Sequence, residues 1–385
     1  HTIRVLGPGS LGLIAPHVGL NASLAREAPT KGEVAVISRS AGFINATLTW
    51  AREHHVGLSA VVSLGQKADI DIGDLLDWFA GDYRTRAVLV HLETISTPQK
   101  FMSAARACAR SKPVIVMRPG ASRDQKGVGV THSGRLATID AVYDAAFQRA
   151  GFVRVDAVDD LFDAVETVSK VKPGAARHLA ILANGRSLAT IAVDKLESLK
   201  GSIAHLTPET AEALKGLVRA GTTLEIPLVL DDDAPPETIA KVVELLAQDP
   251  GVDAVLAIHA PTAFVSSEEA AEAIAGAARA HQKRLGRKRA ILAAILDERP
   301  APREMLEAAG VPCHATPEEA VKSFRFLTRY SEAQESLMAI PQSLPADFTP
   351  DPVKGRAIVQ AALDAGRSWL SPRDVRDLLE AYDIP

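Results

Sequence analysis

A histidine set among glycines is the first residue in this chain that could do chemistry. In "GVGVTHSGRLA", His132 lies close to Gly127, Gly129 and Gly134. Glycine costs backbone entropy and supplies no packing, so a core histidine has no need of this setting, whereas a moving loop does. Neutral imidazole is a competent nucleophile near its ordinary pKa of about 6.5, and a phosphoramidate on its ring nitrogen keeps high transfer potential. The bland alternative is a polar residue in a loose turn, with His54, His55 and His259 among its rivals.

Three other places offer partners. Glu93 follows the apolar run "RAVLVHL", where its carboxylate could accept the Nδ1–H of a histidine and leave Nε2 as the nucleophile; otherwise it is a solvated strand-end glutamate. After "VAVIS" comes "SRSAGF", a serine and glycine turn opening a helix, whose free N–H groups suit an anion, with Ser38 and Ser40 as hydroxyl donors and Gly42 in the first turn. An ordinary serine N-cap reads the same way. After "HLAILA" comes "NGRSLA", with Asn184 and Gly185 at the equivalent turn and Arg186 and Ser187 beside them; a plain helix cap is the alternative.

These residues need strands to hold them. Short β-branched runs alternate with longer amphipathic stretches, the βαβ pattern of a parallel sheet covered on both faces. One series comprises "VAVIS", "LSAVVSLG", "RAVLVHLE", "KPVIVMRPG" and "GFVRVD". A second comprises "HLAILAN", "LEIPLVL", "VDAVLAIHAP", "RAILAAIL" and "VPCHA". The series read as copies, "TRAVLVHLE" matching "VDAVLAIHA", each unit near the ordinary domain size of about 150 residues. The expected fold class is α/β, with two tandem doubly wound parallel-sheet domains, and ligands in such sheets bind beyond the strands' carboxyl ends.

Composition narrows the classes of function. A chain of 385 residues with a net charge of −4 gives no electrostatic case for nucleic acid, and no apolar run approaches the roughly 20 residues of a membrane span. Cys108 and Cys313 are too few for a disulfide framework or a cysteine-rich metal site, so a reducing cytoplasm is the expected compartment and no metal site is expected. His259 and Cys313, isolated on predicted strands, read as structural. "HTIRVLGPGSLG" is expected to start on a strand, and "SPRDVRDLLEAYDIP" to be a helix with Ser371 as N-cap and Pro372 at N1. The chain is expected to be the middle of a larger protein.

At these residues the sequence resembles the NDP-forming acyl-CoA synthetases, relatives of succinyl-CoA synthetase. "VAVISRSAG" is similar to their "SRSGTL" turn, "SLGQKADIDIGDLLDWFAGD" to "SLGNKADVDFADLLEYLADD", and "VTHSGRLATIDAVYDAAFQRAGFVRV" to "SHTGALAGSDAVYDAAFRRAGVIRV". The resemblance implies flavodoxin-like, succinyl-CoA synthetase-like domains, with His132 as the phosphorylated histidine and Glu93 in the place of the glutamate of "YIEGI" that steadies it. It implies phosphate seats at Ser38, Ser40, Gly42, Gly134, Asn184 and Gly185. It implies four segments: 1–28 as the tail of a CoA-binding Rossmann domain, 29–171 and 172–330 as two ligase domains, and 331–385 as a linker and the start of an ATP-grasp domain.

The implied reaction joins acyl-CoA, phosphate and NDP to give acid, CoA and NTP through an acyl phosphate. CoA or acyl-CoA, ATP or ADP, phosphate and Mg²⁺ are the implied cofactors, the nucleotide and Mg²⁺ mainly in domains outside this chain, which alone is expected to be inactive. A homo-oligomer is implied. The sequence departs from the family at Ala41, where the family has glycine, at "NGRSLA" for "NAGGPG", at "LEIPLVL" for "GNPVDV", and at Gly9 and Ser10 in "GPGSLG" for "GPNCLG". These losses suit a second class. "SFRFLTRYSEAQESLMAIPQSLP" and "GRSWLSPRDVRDLLEAYDIP" resemble the version fused to a GNAT domain, the bacterial protein lysine acetyltransferases, where this part binds acyl-CoA and regulates without ligation.

Overall fold

The computed structural model describes residues 3–119, 140–171, 176–284, 289–339 and 349–384. Residues 1–338 form one compact unit and 339–385 a second.

The first unit holds two sheets. In one, β1 (Gly12–Ala15), β2 (Leu20–Ser23), β3 (Lys31–Ser38), β4 (Leu58–Ser63), β5 (Ala87–His91), β6 (Val114–Met117) and β7 (Val153–Val155) run in the order β2-β1-β4-β3-β5-β6-β7. From β4 to β7 the pairing is parallel, and β1 joins β4 antiparallel. In the other, β8 (His178–Ala183), β9 (Ser202–Ile203), β10 (Leu228–Val229), β11 (Ala254–His259), β12 (Ala290–Ile295) and β13 (Cys313–His314) run β10-β8-β11-β12-β13, with β9 also on β8. In both sheets the first strand of the parallel series is an inner one, β3 between β4 and β5 and β8 between β10 and β11, so the strand order reverses beside β3 and beside β8.

Burial explains the two-sided cover. Val34–Ser38, Leu58–Ser63, Ala87–His91 and Val114–Met117 are buried at every position, as parallel strands between helical layers must be. Alternate residues feed opposite cores. Ala35, Ile37, Val88 and Val90 meet Leu76, Phe79, Phe101 and Phe147, whereas Val34, Val36 and Leu89 meet Ile44, Leu48, Leu161 and Val165.

The helix Pro317–Met338 serves both sheets. Phe326 and Leu337 enter the cores of the first sheet, and Phe324 and Leu327 a core of the second. A Cβ on Gly151, at φ +78°, would lie 2.2 Å from Leu337 Cδ1, so the close approach needs glycine. The segment boundary read between 330 and 331 falls inside this helix.

Two strand expectations need correction. Residues 3–11 form no strand; the strand begins at Gly12 and belongs to an antiparallel pair with β2 that the alternation did not reveal. Val5 to Pro8 instead lies along the loop 65–70, where Gln66, Ala68 and Ile70 donate their N–H groups to Pro8, Gly7 and Val5, and Val5 N–H goes to Asp69 Oδ2 at 2.7 Å. Those are isolated bonds with no ladder register. "LEIPLVL" is strand only at Leu228–Val229, because Pro227 has no N–H to give.

In the second unit the helices Pro352–Asp364 and Pro372–Ala381 pack as a pair. Ser371 is the N-cap with Pro372 at N1, as its sequence signal predicts, and its Oγ accepts from Asp374 N–H at 3.2 Å.

Candidate functional site

The carboxyl ends of β3, β4 and β5 converge on one group of polar side chains. Ser38, the last residue of β3, is wholly buried, and its Oγ lies 3.0 Å from Nδ1 of His91, the last residue of β5. The same Oγ accepts the N–H of Ser40 at 3.0 Å. Ser40 then caps the helix Ala41–Glu53 by accepting from Phe43 N–H at 3.2 Å. His91 stacks on Phe43 with ring centroids 4.3 Å apart, which ties the helix back to the strand. Burial pushes the His91 pKa down against a smaller upward pull from Glu93, so the ring is held neutral.

Arg39, between the two serines, reaches over the strand ends. Its Nε donates to Gly65 O and its Nη1 to Glu93 Oε2, both at 2.9 Å. Gly65 follows β4 at φ +57°, and a Cβ there would lie 2.2 Å from Pro8 O, so only glycine brings the chain this close. Lys67 sets its Nζ 2.9 Å from Thr94 O; burial and then Arg39 lower its pKa, opposed by Asp71 and Glu93. Glu93 is part-exposed and shares in a small cluster of two cations and a carboxylate at the point where strand order reverses.

The expected phosphate residues therefore differ in kind. Ser38 presents no hydroxyl to a ligand, since its oxygen is enclosed and bonded twice within the protein. Ser40 sits at the surface as a cap, and Gly42 is exposed in the first helical turn, where a side chain would meet only Ser40 Oγ at 3.9 Å. His132 and Gly134 lie outside the described residues.

At the matching turn of the second sheet, Asn184 Nδ2 donates to Ala260 O at 2.7 Å and Asn184 Oδ1 accepts from Ala260 N–H at 2.9 Å. Its side chain thus clips β8 to the end of β11, using one amide N–H and one lone pair of the carbonyl oxygen. Gly185 is the N-cap of the helix Arg186–Ser198 without a side-chain cap. His259 and Cys313 are buried, and burial pushes the Cys313 and Cys108 thiols up to about 12, which leaves them unreactive. Among the described residues, no group of three or more His, Cys, Asp or Glu is placed to hold a metal ion, and no helix is long and apolar enough to cross a membrane.

Residues 31–168 match the family described as the succinyl-CoA ligase like flavodoxin domain. Over 383 residues the chain is 32% identical to an ADP-forming acetate–CoA ligase I of Archaeoglobus fulgidus, covering 99% of this chain and 53% of that protein. It is 29% identical to the α subunit of an ADP-forming acetate–CoA ligase I of Pyrococcus furiosus, covering 86% of this chain and 71% of that subunit. The chain is a homologue of the ADP-forming acyl-CoA ligases. The structure of a Ca. Korarchaeum cryptofilum dinucleotide-forming acetyl-coenzyme A synthetase 1, in complex with phosphate and ADP, superposes with a TM-score of 0.79 at 25% identity, over 88% of this chain and 74% of that one. The chain spans about half the length of the Archaeoglobus ligase.

The succinyl-CoA ligase-like domain takes in Ser38, Arg39, Ser40, His91 and Glu93. Of these, sequence reasoning passed over Arg39 and His91, and Lys67 beyond them. One signal was present for His91: it is a polar residue near the end of the same apolar run, two residues before Glu93. For Arg39 the signal was its place between two serines already singled out, at the head of a helix.

Proposed function

We propose that the chain is the central part of an ADP-forming acyl-CoA synthetase, an acid–thiol ligase working through an acyl phosphate and a phosphohistidine. The observation that carries this reading is the placing of Glu93 at the carboxyl end of β5, held by Arg39 and beside the Ser40-capped helix, in a chain whose homologues are ADP-forming acetate–CoA ligases.

In this reaction a phosphate oxygen attacks the acyl carbonyl carbon, and the C–S bond to CoA breaks to leave the thiol and an acyl phosphate. His132 Nε2 then attacks phosphorus, the P–O bond to the acyl group breaks, and the free carboxylate leaves. Glu93 accepts the Nδ1–H of the phosphorylated imidazole, which fixes its tautomer. The first turn of the helix Ala41–Glu53, with Ser40 and Gly42, receives the phosphate, its N–H groups and dipole favouring the anion. Ser38 acts one step back, through the turn's shape. Gly134, Asn184 and Gly185 complete the proposed phosphate set, Asn184 and Gly185 through the backbone that Asn184 fixes.

The nucleotide, Mg²⁺ and most of the CoA contacts are supplied by CoA-binding and ATP-grasp domains, for which segments 1–28 and 331–385 are the adjoining pieces and 29–171 and 172–330 the two ligase domains. The working protein is a cytoplasmic homo-oligomer. The test is ATP formation: the full-length protein, given acyl-CoA, phosphate, ADP and Mg²⁺, forms ATP and free CoA in equal amounts, with acetyl-CoA as the first substrate tried. Absence of ATP with every short acyl-CoA would end this reading.

One observation favours a second reading, a non-catalytic acyl-CoA-binding module of a GNAT-fused protein lysine acetyltransferase. Asn184, at the second phosphate-type turn, is held in a structural role, its amide oriented by two hydrogen bonds to Ala260. Under that reading acyl-CoA binds the full-length protein and no ATP forms.

A further inference from the structure

We infer that Arg39 is the positioning residue that sets Glu93 for the phosphotransfer, and this rests on the ligase reading above. Glu93 stands just beyond the end of β5, part-exposed, where a free side chain of this length would sample several rotamers. Arg39 removes that freedom by taking Oε2 at 2.9 Å. Oε1 carries no hydrogen bond among the described residues, so the carboxylate is divided: one oxygen is anchored and the other is offered to an incoming N–H donor.

Arg39 can anchor because it is anchored itself. Its Nε is fixed on Gly65 O at 2.9 Å, and Gly65 is pressed against Pro8 O by a left-handed turn that a Cβ would break. The line of contacts runs from Pro8 through Gly65 and Arg39 to Glu93, joining the ends of β3, β4 and β5. A guanidinium is suited to this because its rigid planar fork aims separate N–H groups, Nε at Gly65 O and Nη1 at Glu93 Oε2, in fixed directions. Lys67, the nearby cation, is engaged on Thr94, so it does not replace Arg39.

The test is a double-mutant cycle on the full-length protein, reading ATP formation from acyl-CoA, phosphate and ADP. Arg39→Ala lowers kcat by about 10- to 100-fold, the loss of one charge-assisted hydrogen bond, with the KM for acyl-CoA unchanged. In the Glu93→Gln background the same change costs less than about threefold, because Arg39 acts through the carboxylate. Arg39→Lys recovers part of kcat, and Arg39→Gln, which keeps the side chain's bulk, serves as the folded control if Arg39→Ala loses its thermal transition. An Arg39→Ala effect of equal size with and without Glu93, or no effect while the wild type is active, overturns the inference and leaves the ligase reading standing. A wild type that forms no ATP removes the ligase reading and the inference with it.

Discussion

Glu166, on the helix over the first sheet, accepts a hydrogen bond at 2.9 Å from Arg303, on a helix of the second sheet. The contact is the centre of a charged seam. Lys170 lies 2.8 Å from the other oxygen of Glu166 and 3.1 Å from Glu307, which itself accepts from Arg303 Nε at 2.8 Å, and Arg303 also reaches His54 Nδ1 at 3.2 Å. Burial works to raise the Glu166 pKa, and Lys170 and Arg303 outweigh it, so the carboxylate stays ionised. Removing one member of such a network leaves uncompensated charge in the interior. Glu166→Ala is expected to destabilise the first unit by about 3 kcal/mol in denaturant unfolding, well beyond the ordinary exposed ion pair. A loss under 1 kcal/mol would mean that the seam is solvated.

The same seam carries a pH dependence. Burial first, then Glu319, Glu166 and Asp160, push the Asp163 carboxyl up to about 7 against Lys322. The folded chain therefore holds a proton that the unfolded chain releases at ordinary carboxylate pH. Stability from this group is complete in acid and is lost as pH rises through about 7, at on the order of 1.4 kcal/mol per pH unit. Asp163→Asn should raise the melting temperature relative to wild type at pH 8 and have little effect at pH 4. An equal shift at both values would show that the carboxyl is ionised throughout.

The Ser38–His91 bond can be isolated by paired substitutions. His91→Phe keeps a ring stacked on Phe43 and deletes Nδ1, so the buried Ser38 hydroxyl loses a partner, at a cost of about 1–3 kcal/mol. Ser38→Ala added to His91→Phe is expected to cost less than the sum of the single changes, read from urea midpoints. Strict additivity would show that the two groups do not interact.

At Gly65, alanine would place a Cβ 2.2 Å from a backbone oxygen in a left-handed conformation. We expect Gly65→Ala to reduce ATP formation in the full-length protein by at least about tenfold, since it shifts the carbonyl that anchors Arg39, and to cost more stability than the about 1–2 kcal/mol of a left-handed alanine alone, because the backbone at Pro8 must also move. Unchanged turnover would detach the Pro8 to Glu93 line from catalysis.

What the sequence made legible follows from where one force dominates. The central strands were readable because burial on both faces demands unbroken apolar runs, as in Val34–Ile37 and Val88–Val90. The serine turn was readable because helix caps have few chemical solutions. Val5 to Gly7 misled because its alternation is satisfied by single bonds to a loop, and Leu224 to Pro227 because one missing N–H outweighs the β-branched and apolar pattern. The long helix was cut too early because Phe326 and Leu337 pack on a sheet far back in the sequence. Arg39 and His91 were missed for a similar reason: each gains its role from a partner more than 50 residues away, and only folding supplies that partner.

The most direct measurement is transfer of label. The full-length protein is incubated with γ-labelled ATP and Mg²⁺, and the adduct is tested for lability to acid and stability to base, in wild type and in His132→Ala. The account predicts an acid-labile, base-stable phosphoryl group that vanishes with His132. An unlabelled wild type that still binds acyl-CoA, or label that persists in His132→Ala, would contradict it.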